Sequence, residues 1–314
     1  MYDINSNLQE LNETFLFELT KAMGLPQTNS VRTMIRLAFG KAMLRVSRVI
    51  LGLDHEIERN GSMAGARWLL PHFVAGYEAS GTEIIPKQGP LIIASNHPAS
   101  YDAITISAYI PRDDYKIIIG EIPPYRYLPN LSKHAIFSPN VKNAFGRMQT
   151  LRKAIQHLKD GGALLIFPRG GIEPDPAFMP NPDAEFNKWS RSLEIFLKSA
   201  PETRVLVTTV SNVISQKIMK HPITWFRRSH PDKQRLAFMY QMIRQIVSGK
   251  ELFGLKPRVT FGELLTNVNH KNILAEIEQS ARRTLAKHIS INHPSEFGGT
   301  DHAFKRKINC NSHR

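Results

Sequence analysis

Leu91-Ile92-Ile93-Ala94-Ser95-Asn96-His97-Pro98-Ala99-Ser100-Tyr101-Asp102 opens as an apolar run, turns polar at one asparagine and one histidine, and then enters a helix-like segment. An apolar run this short, without polar alternation, suits a strand buried on both faces, as in a parallel sheet covered by helices. Pro98 disfavours helical geometry at His97, so the chain stays extended through the histidine. Asp102 falls five residues on, in the first turn of the following helix, where free N–H groups and the helix dipole favour a carboxylate. Such a carboxylate can accept the Nδ1 proton of His97, leaving Nε2 as a base fixed in one tautomer. A plain turn followed by a helix cap is the competing reading of the same residues.

Working outward, strand and helix signals alternate. Residues 103–110 suit a helix and 115–119 a β-branched strand. Residues 145–159 carry Met148, Leu151, Ile155 and Leu158 at helical spacing and stop at Gly161-Gly162. The run 163–167 is another apolar strand, which ends at Pro168-Arg169-Gly170-Gly171. Strands over 205–210 and 258–261 and helices over 236–247 and 272–288 complete the pattern. It predicts an α/β fold: a central, mostly parallel or mixed sheet flanked by helices, with an N-terminal helical arm. The expected division is a helical arm over 1–75, an α/β domain over 76–290 and a polar tail over 291–314. Within the arm, Ile35, Phe39, Ala42, Val46 and Val49 share one helical face while Lys41, Arg45 and Arg48 cluster elsewhere. That pattern suits either a packed helix with a solvated basic face or a helix lying on anionic lipid.

Composition narrows the partners. The 314 residues include 41 Lys and Arg against 27 Asp and Glu, a net charge of +14. A polyanion is therefore the expected partner class: nucleic acid, an anionic membrane face or a phosphorylated small molecule. The lone cysteine, Cys310, excludes an internal disulfide and points to a reducing compartment. Residues 1–20 hold four acids and no base, the reverse of a secretory leader, and no apolar stretch reaches the roughly 18 residues of a membrane span. The expected location is the cytoplasm. There is no G-x-S-x-G elbow, P-loop, dinucleotide fingerprint or second histidine after His55-Glu56. No helix-turn-helix, RNP or zinc signature accompanies the charge, so nucleic acid is not an expected partner.

With the strand, the Asn96-His97-x4-Asp102 block and, seventy residues after His97, Phe167-Pro168-Arg169-Gly170-Gly171, the chain resembles the glycerolipid acyltransferase family. Its best-known members acylate lysophosphatidic acid. The resemblance runs over 79–264, from Gly81-Thr82-Glu83-Ile84-Ile85-Pro86 to Val259-Thr260-Phe261-Gly262-Glu263-Leu264. It implies a general base at His97 with Asp102 as its orienting partner, and substrate contacts from Asn96, Arg169, Gly170 and Gly171. It further implies direct attack of an acceptor hydroxyl on acyl-CoA or acyl carrier protein, with no acyl-enzyme, no metal and no other cofactor. The expected partners are thus an acyl thioester donor, a lysolipid acceptor and an anionic membrane surface, with peripheral attachment to the inner face of the membrane.

Two departures from the family pattern bear on the acceptor. Arg169 stands where the family has glutamate, and Ser138-Pro139-Asn140 follows Ile136-Phe137 where the family has an arginine. Arg169 can itself hold a phosphate beside a Gly-Gly loop, or pair with Glu173 or Asp175. A non-phosphate lysolipid is accordingly the second acceptor class, and a catalytically silent lipid-binding relative is the alternative to an enzyme. Residues 216–258 carry ten Lys and Arg against Asp232 and Glu251, with Trp225 and Phe226 interleaved. This segment suits a lipid headgroup surface, or a solvated loop whose Trp225 packs into the core.

Overall fold

The computed structural model describes residues 4–139, 142–266 and 272–292. Two helices come first, α1 (Ile4–Ala22) and α2 (Asn29–Leu69), the latter capped by Thr28 and broken at Gly61, where the backbone leaves helical geometry. The α/β part follows in the order β1 (Glu78–Ser80), β2 (Leu91–Ser95), α3 (Tyr101–Ser107), β3 (Tyr115–Gly120), α4 (Pro129–Lys133) and β4 (Ala135–Ser138). Then come α5 (Ala144–Lys159), β5 (Ala163–Ile166), α6 (Ser192–Ser199), β6 (Arg204–Ser211), α7 (Gln216–Met219), α8 (His230–Ser248), β7 (Arg258–Leu265) and α9 (Ile273–Asn292). The tail expected over 291–314 lies, from residue 293 on, outside the described residues.

Seven strands form one mixed sheet in the order β1-β7-β6-β2-β5-β3-β4. Every neighbouring pair is parallel except β6 and β7. β2 is central, with Leu91 in register with Ala163 on one side and Arg204 on the other. Its side chains alternate between two cores, which is why Leu91–Ala94 holds no polar residue and polarity begins only at Ser95. Leu91 and Ile93 join a cluster with Leu165, Leu206 and helices α2, α3 and α8, whereas Ile92 and Ala94 join Leu164, Val205 and helices α5, α6 and α9.

The N-terminal helices belong to the first of these cores. Ile35, Val46, Leu53, Ile57 and Leu69 are buried in it, and Phe39, Ala42 and Val49 are half-buried against it. Lys41, Arg45 and Arg48 are exposed, and Arg45 also donates to the Val247 carbonyl at 2.6 Å. A packed helix with a solvated basic face therefore describes α2.

Three local expectations are corrected. Met148 is exposed, and α5 buries Thr150, Ala154 and Leu158 instead, with Leu151 and Ile155 half-buried. The helix after the histidine begins at Tyr101 rather than Ala103. β1 and β4 are strands that the hydrophobic pattern did not reveal. They are three and four residues long and sit at the two sheet edges, where a strand needs less apolar patterning.

Candidate active site

β5 and β6 flank β2, so the loops leaving the carboxyl ends of these parallel strands converge, the usual place for a site in such sheets. Asn96 pins the first loop. Its Nδ2 donates to the Val210 carbonyl at 2.9 Å and its Oδ1 accepts the Val210 N–H at 2.8 Å. The residue is buried, so the substrate contact expected of Asn96 is replaced by a clamp between the exit of β2 and β6.

The next residue, His97, donates from Nδ1 to Asp102 Oδ2 at 2.8 Å. Asp102 is wholly buried and also accepts the Ala99 N–H at 3.1 Å and the Ala103 N–H at 2.7 Å. Both carboxylate oxygens thus act as acceptors, which leaves the proton on His97 Nδ1. Nε2 makes no hydrogen bond among the described residues, and about a quarter (24%) of the side chain is open to solvent. Phe167, at the end of β5, lies against the imidazole with ring centroids 4.3 Å apart and planes 22° from parallel. The ring is therefore held by a hydrogen bond at one edge and by an aromatic face.

The β5 loop is tied to this histidine and to the β6 loop. Glu173 N–H donates to the His97 carbonyl at 2.8 Å. Asp175, fully buried, accepts N–H groups from Ala177, Asn212 and Val213, yet burial still pushes its carboxyl up to about 6. From the opposite side, Gln234 of α8 donates through Nε2 to the carbonyls of Pro98 (2.6 Å) and Glu173 (2.7 Å). One buried amide thus spans the His97 loop and the β5 loop.

Glu173 is the unusual group here. Its side chain is buried, and among the described residues neither carboxyl oxygen has a hydrogen bond of ordinary geometry, the Trp189 indole acting only as a weak opposing donor. Burial, reinforced by the Glu185 carboxylate, pushes it up to about 8. A carboxyl so placed is a neutral acid at physiological pH.

Arg169 pairs with neither Glu173 nor Asp175. Its Nε donates to Glu185 Oε2 at 2.9 Å, and Lys188 holds the other oxygen at 2.7 Å. Partial burial acts to raise Glu185, but the hydrogen bonds from Lys188 and Arg169 outweigh it and hold the group below its ordinary value. The Gly170-Gly171 loop also differs from the accessible N–H cradle expected. Gly170, at φ 70°, turns its N–H back to the Phe167 carbonyl at 2.9 Å. Gly171 instead makes room: a Cβ there would sit 2.5 Å from Arg169 Nη1. Among the described residues, no group of three or more His, Cys, Asp or Glu side chains is arranged to hold a metal ion.

Sequence reading missed Glu185 and Gln234 as parts of this site, and took Phe167 only as a motif residue and Glu173 only as a candidate partner of Arg169. Gln234 left a trace: with Gln241 and Gln245 it falls on the α8 face that also buries Ala237 and Phe238, where glutamine needs a buried partner.

Residues 77–189 match the family model described as Acyltransferase, a span of a little over a third of the chain that holds His97, Asp102, Phe167, Arg169, Glu173 and Glu185. That span is therefore similar to acyltransferase domains, and the strand, loops and helices around His97 all lie within it or against it. No curated protein matches the sequence. Among solved structures, the 1-acyl-sn-glycerophosphate (LPA) acyltransferase PlsC from Thermotoga maritima aligns over 90% of this chain and 97% of its own, at 14% identity and a TM-score of 0.41.

Proposed function

We propose that this chain moves a fatty acyl group from the thioester of acyl-CoA or acyl carrier protein to the hydroxyl of a lysophospholipid or glycerophosphate-like acceptor. The observation that carries the reading is the His97–Asp102 pair, held between two loops at the carboxyl ends of the central strands. In the reaction, His97 Nε2 takes the proton of the acceptor hydroxyl as its oxygen attacks the thioester carbonyl. The tetrahedral adduct collapses, the C–S bond breaks, and the leaving thiolate takes the proton back from Nε2. Asp102 keeps Nδ1 protonated throughout and offsets the positive charge on the ring. A thioester is already activated, so the step balances with these two side chains and no acyl-enzyme. The base supplies about 10² to 10⁴-fold. Positioning must contribute the rest.

Lysophosphatidic acid is the first acceptor to test, with Arg169 at its phosphate. The hold of Glu185 on Arg169 favours a second reading, a lysolipid without a phosphate monoester, because a phosphate has to compete with that carboxylate. A thiol-release assay across glycerol 3-phosphate and a panel of lysolipids tests both. Acyl-CoA consumption dependent on one acceptor class, and lost in His97→Ala, supports the reading. Undiminished turnover in His97→Ala overturns the assignment of the base.

A further inference from the structure

Trp225 and Phe226 are 76% and 57% exposed. They sit in a 3-10 turn, Pro222–Phe226, that is held in shape from beneath. His221 Nδ1 accepts the Ile223 N–H, Thr224 is buried and donates to the His221 carbonyl, and the His221 ring stacks on Tyr240. Arg227 then fastens the turn to the end of α1, its guanidinium donating to the carbonyls of Ala22 and Lys21. The two aromatic rings are therefore presented by an ordered support. Leaving a ring of this size in water forgoes roughly 1.5–3 kcal/mol of burial, a cost that a partner surface would recover.

Charge identifies the partner. Residues 216–235 carry six Lys and Arg against the single acid Asp232. Lys217, Lys220 and Arg228 are exposed around the turn, whereas Arg227 is occupied with the α1 carbonyls. Aromatic side chains standing among cations match the boundary between acyl chains and anionic headgroups. Chain length limits how far the turn can stand from the His97 loop. Gln234 reaches the Pro98 carbonyl, and four residues of chain plus one turn of α8 bring Phe226 within about 20 Å of Gln234. Separately, α2, which starts seven residues after Ala22, exposes Met34 and Leu37.

We propose that the Pro222–Phe226 turn, with Lys217, Lys220 and Arg228, docks the enzyme on an anionic lipid bilayer so that His97 faces acceptors held in that bilayer. This deepens the acyl-transfer reading and rests on it only for the nature of the acceptor. The test is co-sedimentation of the full chain with phosphatidylcholine vesicles, with and without phosphatidylglycerol, at low and high salt. The parent is expected to pellet with phosphatidylglycerol and to release at high salt. Trp225→Ala/Phe226→Ala and Lys217→Glu/Lys220→Glu/Arg228→Glu are each expected to lose at least about ten-fold in vesicle affinity. Both variants should keep parental thiol release with the water-soluble acceptor glycerol 3-phosphate or, if that is not used, a short-chain lysolipid below its micellar concentration. Vesicle affinity unchanged in the aromatic variant, or a parent indifferent to phosphatidylglycerol, overturns the proposal. So does concentration-dependent self-association abolished by the alanines, which assigns the turn to a second copy, or retention on duplex DNA without vesicle binding. Docking as described with no thiol release on any acceptor would leave the surface standing and remove the reaction assigned to the site.

Discussion

Glu173 and His97 are joined through their backbones: the Glu173 N–H donates to the His97 carbonyl at 2.8 Å, while the Glu173 carboxyl is buried with no hydrogen bond of ordinary geometry among the described residues. The loop that carries the acid is thus one of the supports of His97. Burial gives this carboxyl a folded-state value of about 8 against an ordinary 4.5. The native state therefore holds the proton more tightly than the unfolded chain. The stabilising contribution is complete below pH 4.5 and is lost as pH rises through 8, a loss on the order of 5 kcal/mol at most. Glu173→Gln keeps a neutral side chain of the same shape. Urea denaturation at pH 6 and pH 9 should show the parent losing more stability than the variant over that interval. Equal losses would mean that Glu173 is ionised at neutral pH after all.

His97→Ala and Asp102→Asn should both abolish most thiol release, by about 10² to 10⁴-fold in kcat. They differ in mechanism. The alanine removes the base, whereas the asparagine amide can donate a hydrogen bond to His97 Nδ1 and so favours the tautomer that protonates Nε2. A solvent-supplied base such as imidazole should restore turnover in His97→Ala and leave Asp102→Asn unaffected. Because Asp102 also accepts the Ala99 and Ala103 N–H groups, its replacement should lower stability as well, by about 1–3 kcal/mol.

The pairing of His97 with Asp102 was legible because it is local: five residues, one proline and one helix start determine it. β2 was legible for a similar reason, since a strand buried on both faces cannot hide its composition. What surrounds the pair was not legible, because each contact is made across the fold. Phe167 reaches His97 from a strand seventy residues away in sequence, and Gln234 reaches Pro98 over 136 residues. Asn96 has the composition of a ligand-binding side chain, and only the β6 register shows that Val210 takes its amide. Arg169 finds its carboxylate sixteen residues on, at Glu185, rather than at the nearer Glu173. Trp225 is the opposite case. Its sequence surroundings allowed core or surface, and its 76% exposure decides for the surface.

The Arg169–Glu185 pair gives the acceptor its own test. If Arg169 receives a phosphate, Glu185 competes with that phosphate for the same guanidinium. Arg169→Ala should raise KM for phosphorylated acceptors by about ten-fold or more, and Glu185→Gln should lower it, with little change for acceptors that lack a phosphate monoester. Initial rates against acceptor concentration read the effect directly. Uniform changes across all acceptors would show that the pair only braces the β5 loop, and a non-phosphate lysolipid would then be the better substrate class.

Gln234 offers a test of positioning apart from chemistry. Its single Nε2 satisfies the carbonyls of Pro98 and Glu173, so Gln234→Leu leaves two buried acceptors unpaired and frees the loops on either side of His97. Each lost hydrogen bond costs about 1 kcal/mol, and an orphaned carbonyl adds to that. A loss of stability alone would lower the amount of folded enzyme without changing what the folded enzyme does. Loosening of the loops has a different signature. In variant protein shown to be fully folded under assay conditions, kcat should fall by about ten-fold while donor KM stays near the parent value, since a misplaced base weakens the transition state more than substrate binding. The His97 ring resonances should broaden in parallel, as the imidazole samples orientations that Phe167 and Asp102 alone do not forbid. Parental kcat in a folded Gln234→Leu enzyme would show that Asn96, Asp102 and Phe167 suffice to aim the ring.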